Sequence, residues 1–290
     1  MAIQSGGRLV PPLICTVGPM MREHEVGKNR QFARTALTSL QTIAIARRIL
    51  TEYVRQRRSL IFWAVFPTLM LLLFGLMYRS NPALRAGFDA TPAGILIGAA
   101  LFFSCLGGTV SLIVAERERR TLRRLLVSPL QPAAYFLGIV LALLVVALLQ
   151  AVIVYLLAFV LGARYHGSIW LGILIVVLSV FSYVGLGFVF GARFAKRAED
   201  VNGPVAAFGV PLLVLAGTFF PVSLLPGFLL GIANLDPVFH MNQALKGVAG
   251  RGEGWSELSG HLTFLFVFTV ASLFLGIRSY RRMLSEEKRA

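Results

Sequence analysis

The chain has 290 residues, 57% of them hydrophobic and only 14% charged, with a formal net charge of +15 and a mean hydropathy of +0.75. That balance lies far outside the range of soluble domains. The basic excess does not point to nucleic acid, which would require a basic soluble domain, and none is present.

Residues 1–35 read as a disordered arm. Its apolar run Leu9–Met21 is broken by Pro11, Pro12 and Pro19, which spoils a signal-peptide core. Met20-Met21-Arg22-Glu23 resembles an ordinary start, so translation is expected to begin there; amino-terminal sequencing that found Met1 or Ala2 would reject this. Residues 36–58 have helical periodicity. Leu40, Ile43, Ala46, Leu50, Tyr53 and Val54 form one stripe, with Arg47, Arg48, Arg55 and Arg57 around it. A basic amphipathic helix leading into an apolar segment belongs in the membrane interface, as a headgroup anchor, a partner contact or both.

Six uncharged stretches follow, and about 20 apolar residues suffice to cross the hydrocarbon as a helix. Spans are expected near 60–78, 94–115, 133–161, 169–192, 203–220 and 261–277. Each must be helical, because lipid offers no partner to a free backbone N–H or C=O. The fifth is irregular, with Gly203-Pro204, Gly209, Pro211 and Gly217 in or beside it. Beyond it, 222–234 is apolar but too short to cross, and 221–260 is too long to lack structure, so short or re-entrant helices are expected. The fold class is therefore all-α membrane protein: six transmembrane helices, an amino-terminal interface helix, and a short-helix segment after the fifth span.

The basic residues orient it. Ten Lys/Arg lie in 1–59, five in 116–131, three in 193–202 and five in 278–290, which places 23 on one side against five on the other. By the positive-inside rule both termini are cytoplasmic, in a multi-pass protein of the plasma (bacterial inner) membrane.

The loop after the second span carries the most information. Glu116-Arg-Glu-Arg-Arg-Thr-Leu-Arg-Arg124 packs seven charges into nine residues. As a helix it places Leu122, Leu125 and Leu126 on one face, ringed by arginines, with Glu116 and Arg120 at i,i+4 spacing; Pro129 and Pro132 then close it. A loop that only fixes topology needs arginines but not the leucines, the glutamates or the prolines. The segment reads as a docking element for a soluble partner.

Catalytic chemistry is not legible. There is no GxxxxGK[ST] phosphate loop, no HExxH and no GxSxG. Cys15 and Cys105 are placed too differently to meet, and four scattered histidines give no i,i+4 pair, so no metal set is expected. No Asp, Glu, Lys or Arg falls in a predicted membrane centre, which weighs against proton- or sodium-driven transport. Of the polar groups inside the spans, Thr109, Gln150, Tyr183 and Thr218, with Phe219 beside the last, are assigned to a substrate path; for Gln150 an interhelical hydrogen bond is the competing role.

Two motifs carry a resemblance. Glu116–Pro129 is similar to the E-R-E-x-G-T-L-E-x-L-L-V-T-P stretch after the second span of ABC-2-type transporter permeases. Ala216-Gly217-Thr218-Phe219-Phe220-Pro221, then Leu225-Pro226 and Asp236-Pro237, resembles that family's S-G-x-x-F-P…L-P…N-P pattern. The likeness covers about residues 36–285, with a permease domain over 59–285 and a tail at 286–290. Arg120, Arg123 and Asp236 depart from the usual glycine, acid and asparagine.

The resemblance, closest to drug, lipid and lipo-oligosaccharide exporters, implies a half-transporter and not an enzyme. Two permease chains, as a homodimer or heterodimer, would form an export path for an amphiphilic substrate amid membrane lipids. A separate ATPase subunit would hold the ATP and Mg, since this chain binds no cofactor. Glu116, Arg117, Glu118, Arg120, Thr121, Leu122, Leu125 and Leu126 would form a cytoplasmic coupling helix against that ATPase. The alternative from another class is a membrane scaffold or sensor that recruits a soluble protein through 116–130 and moves nothing; the Gly/Pro-rich fifth span favours transport.

Overall fold

A computed structural model describes residues 38–81, 85–118, 131–194 and 199–289. The arm 1–35 and the loop positions Arg120, Thr121, Leu122, Leu125 and Leu126 lie outside these residues. The described chain is helical, without strands, and residues 41–290 form one unit.

Helix α1 occupies 38–55 and ends at Gln56. Its packed face differs from the expected stripe: Ala46, Ile49 and Tyr53 are buried, whereas Ile43 and Val54 are exposed. The reason is a close approach to the helix Pro132–Val160, where Ile45 and the Thr42 carbonyl lie against Gly138, leaving no room for a side chain there. Burial thus follows residues 46, 49 and 53, with Ile45 and Leu50 packed beside them, and Leu40, Ile43 and Val54 are exposed.

Among the described residues, five helices are long and apolar enough to cross a membrane. They comprise most of α2 (Arg57–Ser80), then α3 (Gly87–Glu118), α4 (Pro132–Val160) and α5 (Ile169–Arg193), and α9 (Ser259–Arg289) as far as Glu286. The expected fifth span falls on α6 (Glu199–Leu215), which has 17 residues. Despite Pro204 and Pro211 it stays helical until Gly217, whose φ of +69° closes it. Thr218 N–H donates to the Leu213 carbonyl and Gly217 N–H to that of Val214, the crossed pair that satisfies a helix end.

Helix α3 is the axis of the bundle: 78% of its most apolar window is buried, against 17% for α2. Its middle, Ile95–Gly107, winds as a π-helix, a form found in short pieces and often at functional positions. Helix α5 packs on α3 from one side and on α9 from the other. The α5–α9 contact is backbone on backbone: a Cβ on Gly276 would lie 2.7 Å from the Gly185 carbonyl oxygen, and one on Gly185 would lie 2.7 Å from the Ser272 carbonyl carbon. Small residues permit such proximity, and Ser182 and Thr269 add a hydroxyl pair at 2.8 Å.

Short helices fill the segment after α6, as its length required. A 3-10 turn (Val222–Leu224), α7 (Gly227–Ala233) and α8 (Pro237–Lys246) lead to a π turn at Gly247–Arg251. Helix α8 buries Val238, Phe239, Met241, Asn242, Ala244 and Leu245.

Candidate functional site

The two ends of α3 carry two polar constellations, and a groove lies along its flank. At the Glu118 end, Glu116 is 5% exposed. Tyr135 of α4 donates its hydroxyl to one carboxylate oxygen, and Arg48 of α1 lies 3.8 Å from the other. Tyr135 stacks on Tyr280 of α9 at 5.3 Å, and Tyr280 meets Phe188 of α5 edge-on. One carboxylate near the end of α3 thus ties three elements together, with α5 and α9 behind it. Arg117 is half-buried and Glu118 exposed.

Inside the bundle, the polar residues assigned to a path are engaged within the protein. Gln150 accepts from Ser104 Oγ at 2.9 Å and donates to the Trp63 carbonyl at 3.0 Å, joining α2, α3 and α4. Its arrangement is the interhelical one. Thr109 Oγ1 donates to the Cys105 carbonyl at 2.6 Å, and its Cβ sits where a side chain on Gly187 would fall. Tyr183 is buried and donates to the Ile97 carbonyl, in the π-helical stretch, at 3.2 Å.

At the Asp89 end, the Gly217–Pro221 turn rests on α3. Thr218 accepts from Asn242 Nδ2 at 2.9 Å and fills the space left by Gly98; a Cβ there would lie 2.3 Å from Thr218 Cγ2. Lys246 donates to the Gly217 carbonyl. Burial, with Arg251 as a lesser cause, pushes its amine down to about 8. Phe219 stacks on Phe74 at 5.2 Å, and its carbonyl accepts from Tyr78 Oη at 3.2 Å. Thr218 and, from α5, Tyr183 therefore meet adjacent residues of α3, Gly98 and Ile97, while Thr109 and Gln150 lie elsewhere.

Two histidines that the spacing left apart also meet. His240 Nδ1 and His261 Nδ1 are 2.9 Å apart, and His240 Nε2 lies 3.0 Å from the Asn234 carbonyl, joining α8 to the start of α9. Among the described residues no group of three or more His, Cys, Asp or Glu could hold a metal.

The groove runs between α3, α5, α6 and the start of α8, with a volume of about 700 Å³. Phe102, Leu106, Tyr183, Phe190 and Leu212 are among its walls, and Asp236 supplies a carboxylate. Asp236 caps α8 by accepting from Val238 N–H at 2.9 Å. Burial pushes its carboxyl up to about 6, against the lowering effect of that same backbone bond. Its Oδ2 is buried and has no partner among the described residues. Asp236 and Lys246 were missed as site residues because they lie outside the apolar stretches; the Asp236-Pro237 pair itself, a helix start with a cap, was the available signal.

Comparison with known proteins gives a consistent result. The family described as ABC-2 type transporter matches residues 40–249. The "Probable multidrug ABC transporter permease YbhR" of Escherichia coli K12 is 31% identical over 176 residues, which is 59% of this chain and 47% of that protein. The "Inner membrane transport permease YhhJ" of the same strain is 24% identical over 208 residues, 71% of this chain and 55% of that protein. The chain spans about half the length of the curated relatives it matches.

Proposed function

The chain belongs to the ABC-2 type transporter family, and on that premise we propose that it is the permease subunit of an ATP-binding-cassette exporter. In this reading it forms the path for an amphiphilic substrate and carries no ATP site of its own. ATP and Mg belong to a separate ATPase subunit, and a second permease chain completes the path. Helix α6 is counted as a sixth crossing, both termini lie in the cytoplasm, and α1 lies in the membrane interface. Its exposed Ile43 and Val54 would then meet lipid.

The observation that carries the reading is the Glu116 clasp. A transport subunit driven from outside must pass a push from a water-facing loop into buried helices. Glu116 stands near the end of α3, just before residues 119–130, and it is held by α1 and α4 through charged and hydrogen-bonded contacts. A partner seated on Leu122, Leu125 and Leu126 would therefore pull on three elements at once.

Purification of the tagged chain from its native membrane in mild detergent tests this directly. The expected companion is a Walker-motif ATPase at equal stoichiometry. Leu122→Asp with Leu125→Asp should keep the chain in the membrane while separating ATP hydrolysis from export. Normal export by that well-expressed double variant would overturn the reading, and a different soluble protein held through 116–130 would establish a scaffold instead.

A further inference from the structure

The groove beside α5 and α6 presents a specific electrostatic problem. Asp236 is 4% exposed, and only its Oδ1 is satisfied, by the Val238 N–H. Oδ2 has no partner among the described residues. The Tyr183 hydroxyl, which shares the groove lining, is already used elsewhere, on the Ile97 carbonyl. An unpaired carboxylate in apolar surroundings is costly unless something neutralises it.

The surroundings say what could do so. The walls are almost entirely aliphatic and aromatic, with Phe102, Tyr183 and Phe190 offering ring faces or edges. A bare metal ion is poorly served, since Ca²⁺ and Mg²⁺ require six or more oxygens and a single carboxylate is available here. An anion would be repelled. A neutral acyl chain would fill the space and leave the carboxylate as unsatisfied as before. A volume of about 700 Å³ suits one drug-sized molecule, and aromatic rings attract a desolvated cation further.

We propose that this groove binds an amphiphilic organic monocation, an amine or onium centre on an apolar body, with the Asp236 carboxylate as its counter-ion. The proposal deepens the permease reading by naming the class of molecule that the path accepts. Binding itself needs neither nucleotide nor ATPase, so the two readings can fail separately.

The test is equilibrium binding of tetraphenylphosphonium to the full chain, purified in lipid nanodiscs without nucleotide, at a pH where Asp236 is ionised. Saturable binding is expected, weakened about tenfold or more in Asp236→Asn, because Asn keeps the cap on Val238 but loses the charge. Leu212→Trp, which fills the groove and leaves Asp236 in place, should weaken it as well and carries the test if Asp236→Asn does not stay monodisperse. Tetraphenylborate, of the same shape and opposite charge, should not displace the cation. Unchanged binding by either monodisperse variant, or equal competition by the borate, overturns the site. Cation binding that survives these controls in a chain that captures no ATPase would keep the site and remove the permease reading.

Discussion

Glu116 and Tyr135 stand 19 residues apart in sequence, and the phenol of one donates to the buried carboxylate of the other. The contact closes the α3–α4 connection at its base, outside the loop itself. Tyr135→Phe removes this donor; the Arg48 side chain, half exposed, contributes less than about 1 kcal/mol through its ion pair. A hydrogen bond to a charged group is worth about 1.5–3 kcal/mol. The variant should therefore lose about 2 kcal/mol in thermal denaturation, and an unchanged midpoint would show that the phenol contributes nothing.

The α5–α9 seam should be intolerant of side chains. Gly276→Leu would drive carbon atoms into the Gly185 backbone, which cannot rotate away. Overpacking of this kind costs about 1–3 kcal/mol or more. Gly260→Ala, with open space around its Cβ position, is the control. Equal expression and melting of the two variants would contradict the backbone contact.

Gln150→Leu distinguishes a structural from a transport role. The loss of two interhelical bonds, to Ser104 and Trp63, should cost about 2 kcal/mol without altering substrate preference. A changed preference at unchanged stability would return Gln150 to the path.

Lys246 predicts an alkaline signature. Its folded-state pKa, about 8, lies below the ordinary lysine value of 10.5. Between those values the unfolded chain holds a proton that the folded chain has released, so stability should rise with pH across that window. In Lys246→Met this contribution disappears, as melting followed from about pH 8 to 10 would show.

Asp236 has the opposite sign. Its folded pKa, about 6, lies above 3.8, so the folded chain keeps a proton that the unfolded chain has lost. Stability should fall as pH rises from about 4 to 6. A bound monocation would offset that loss, and its own binding should weaken as pH drops through about 6. The titratable residues lining the groove are Asp236 and Tyr183, and a phenol is neutral throughout this range. Cation binding that is flat from pH 5 to 8 would exclude Asp236 as the counter-ion.

The membrane character, the helical class and the family were all legible, because apolar stretches longer than a bilayer and an arginine–leucine loop between them leave few alternatives. The interior of the site was legible only in part. Gln150, Thr109 and Tyr183 were chosen for being polar within apolar stretches, yet each is satisfied by a neighbouring helix or its own backbone. Asp236 and Lys246 were passed over because charge outside a span normally means water. What period and hydropathy do not encode is the fold-back: α8 turns inward, with Asp236 buried at its start and Lys246 half-buried at its end. The α1 stripe shifted for a related reason, since Gly138 on a helix almost 100 residues away decides which face lies closest.

The single helix from Gly87 to Glu118 has 32 residues and so measures about 48 Å at 1.5 Å per residue. A rod of that length, gripped on most of its surface, is a poor hinge and a good piston. If its Glu118 end is displaced along its axis, Gly94 and Gly98 move with it, and the turn resting on them must ride or slip. The π-wound middle offers the one place where such a stroke could be shortened, by surrendering a residue of slack to ordinary helical winding. Stroke and slack would then be set by the same thirteen residues, Ile95–Gly107. Spin labels at the two ends of the helix would read a constant separation for a rigid piston and a changing one for a helix that rewinds.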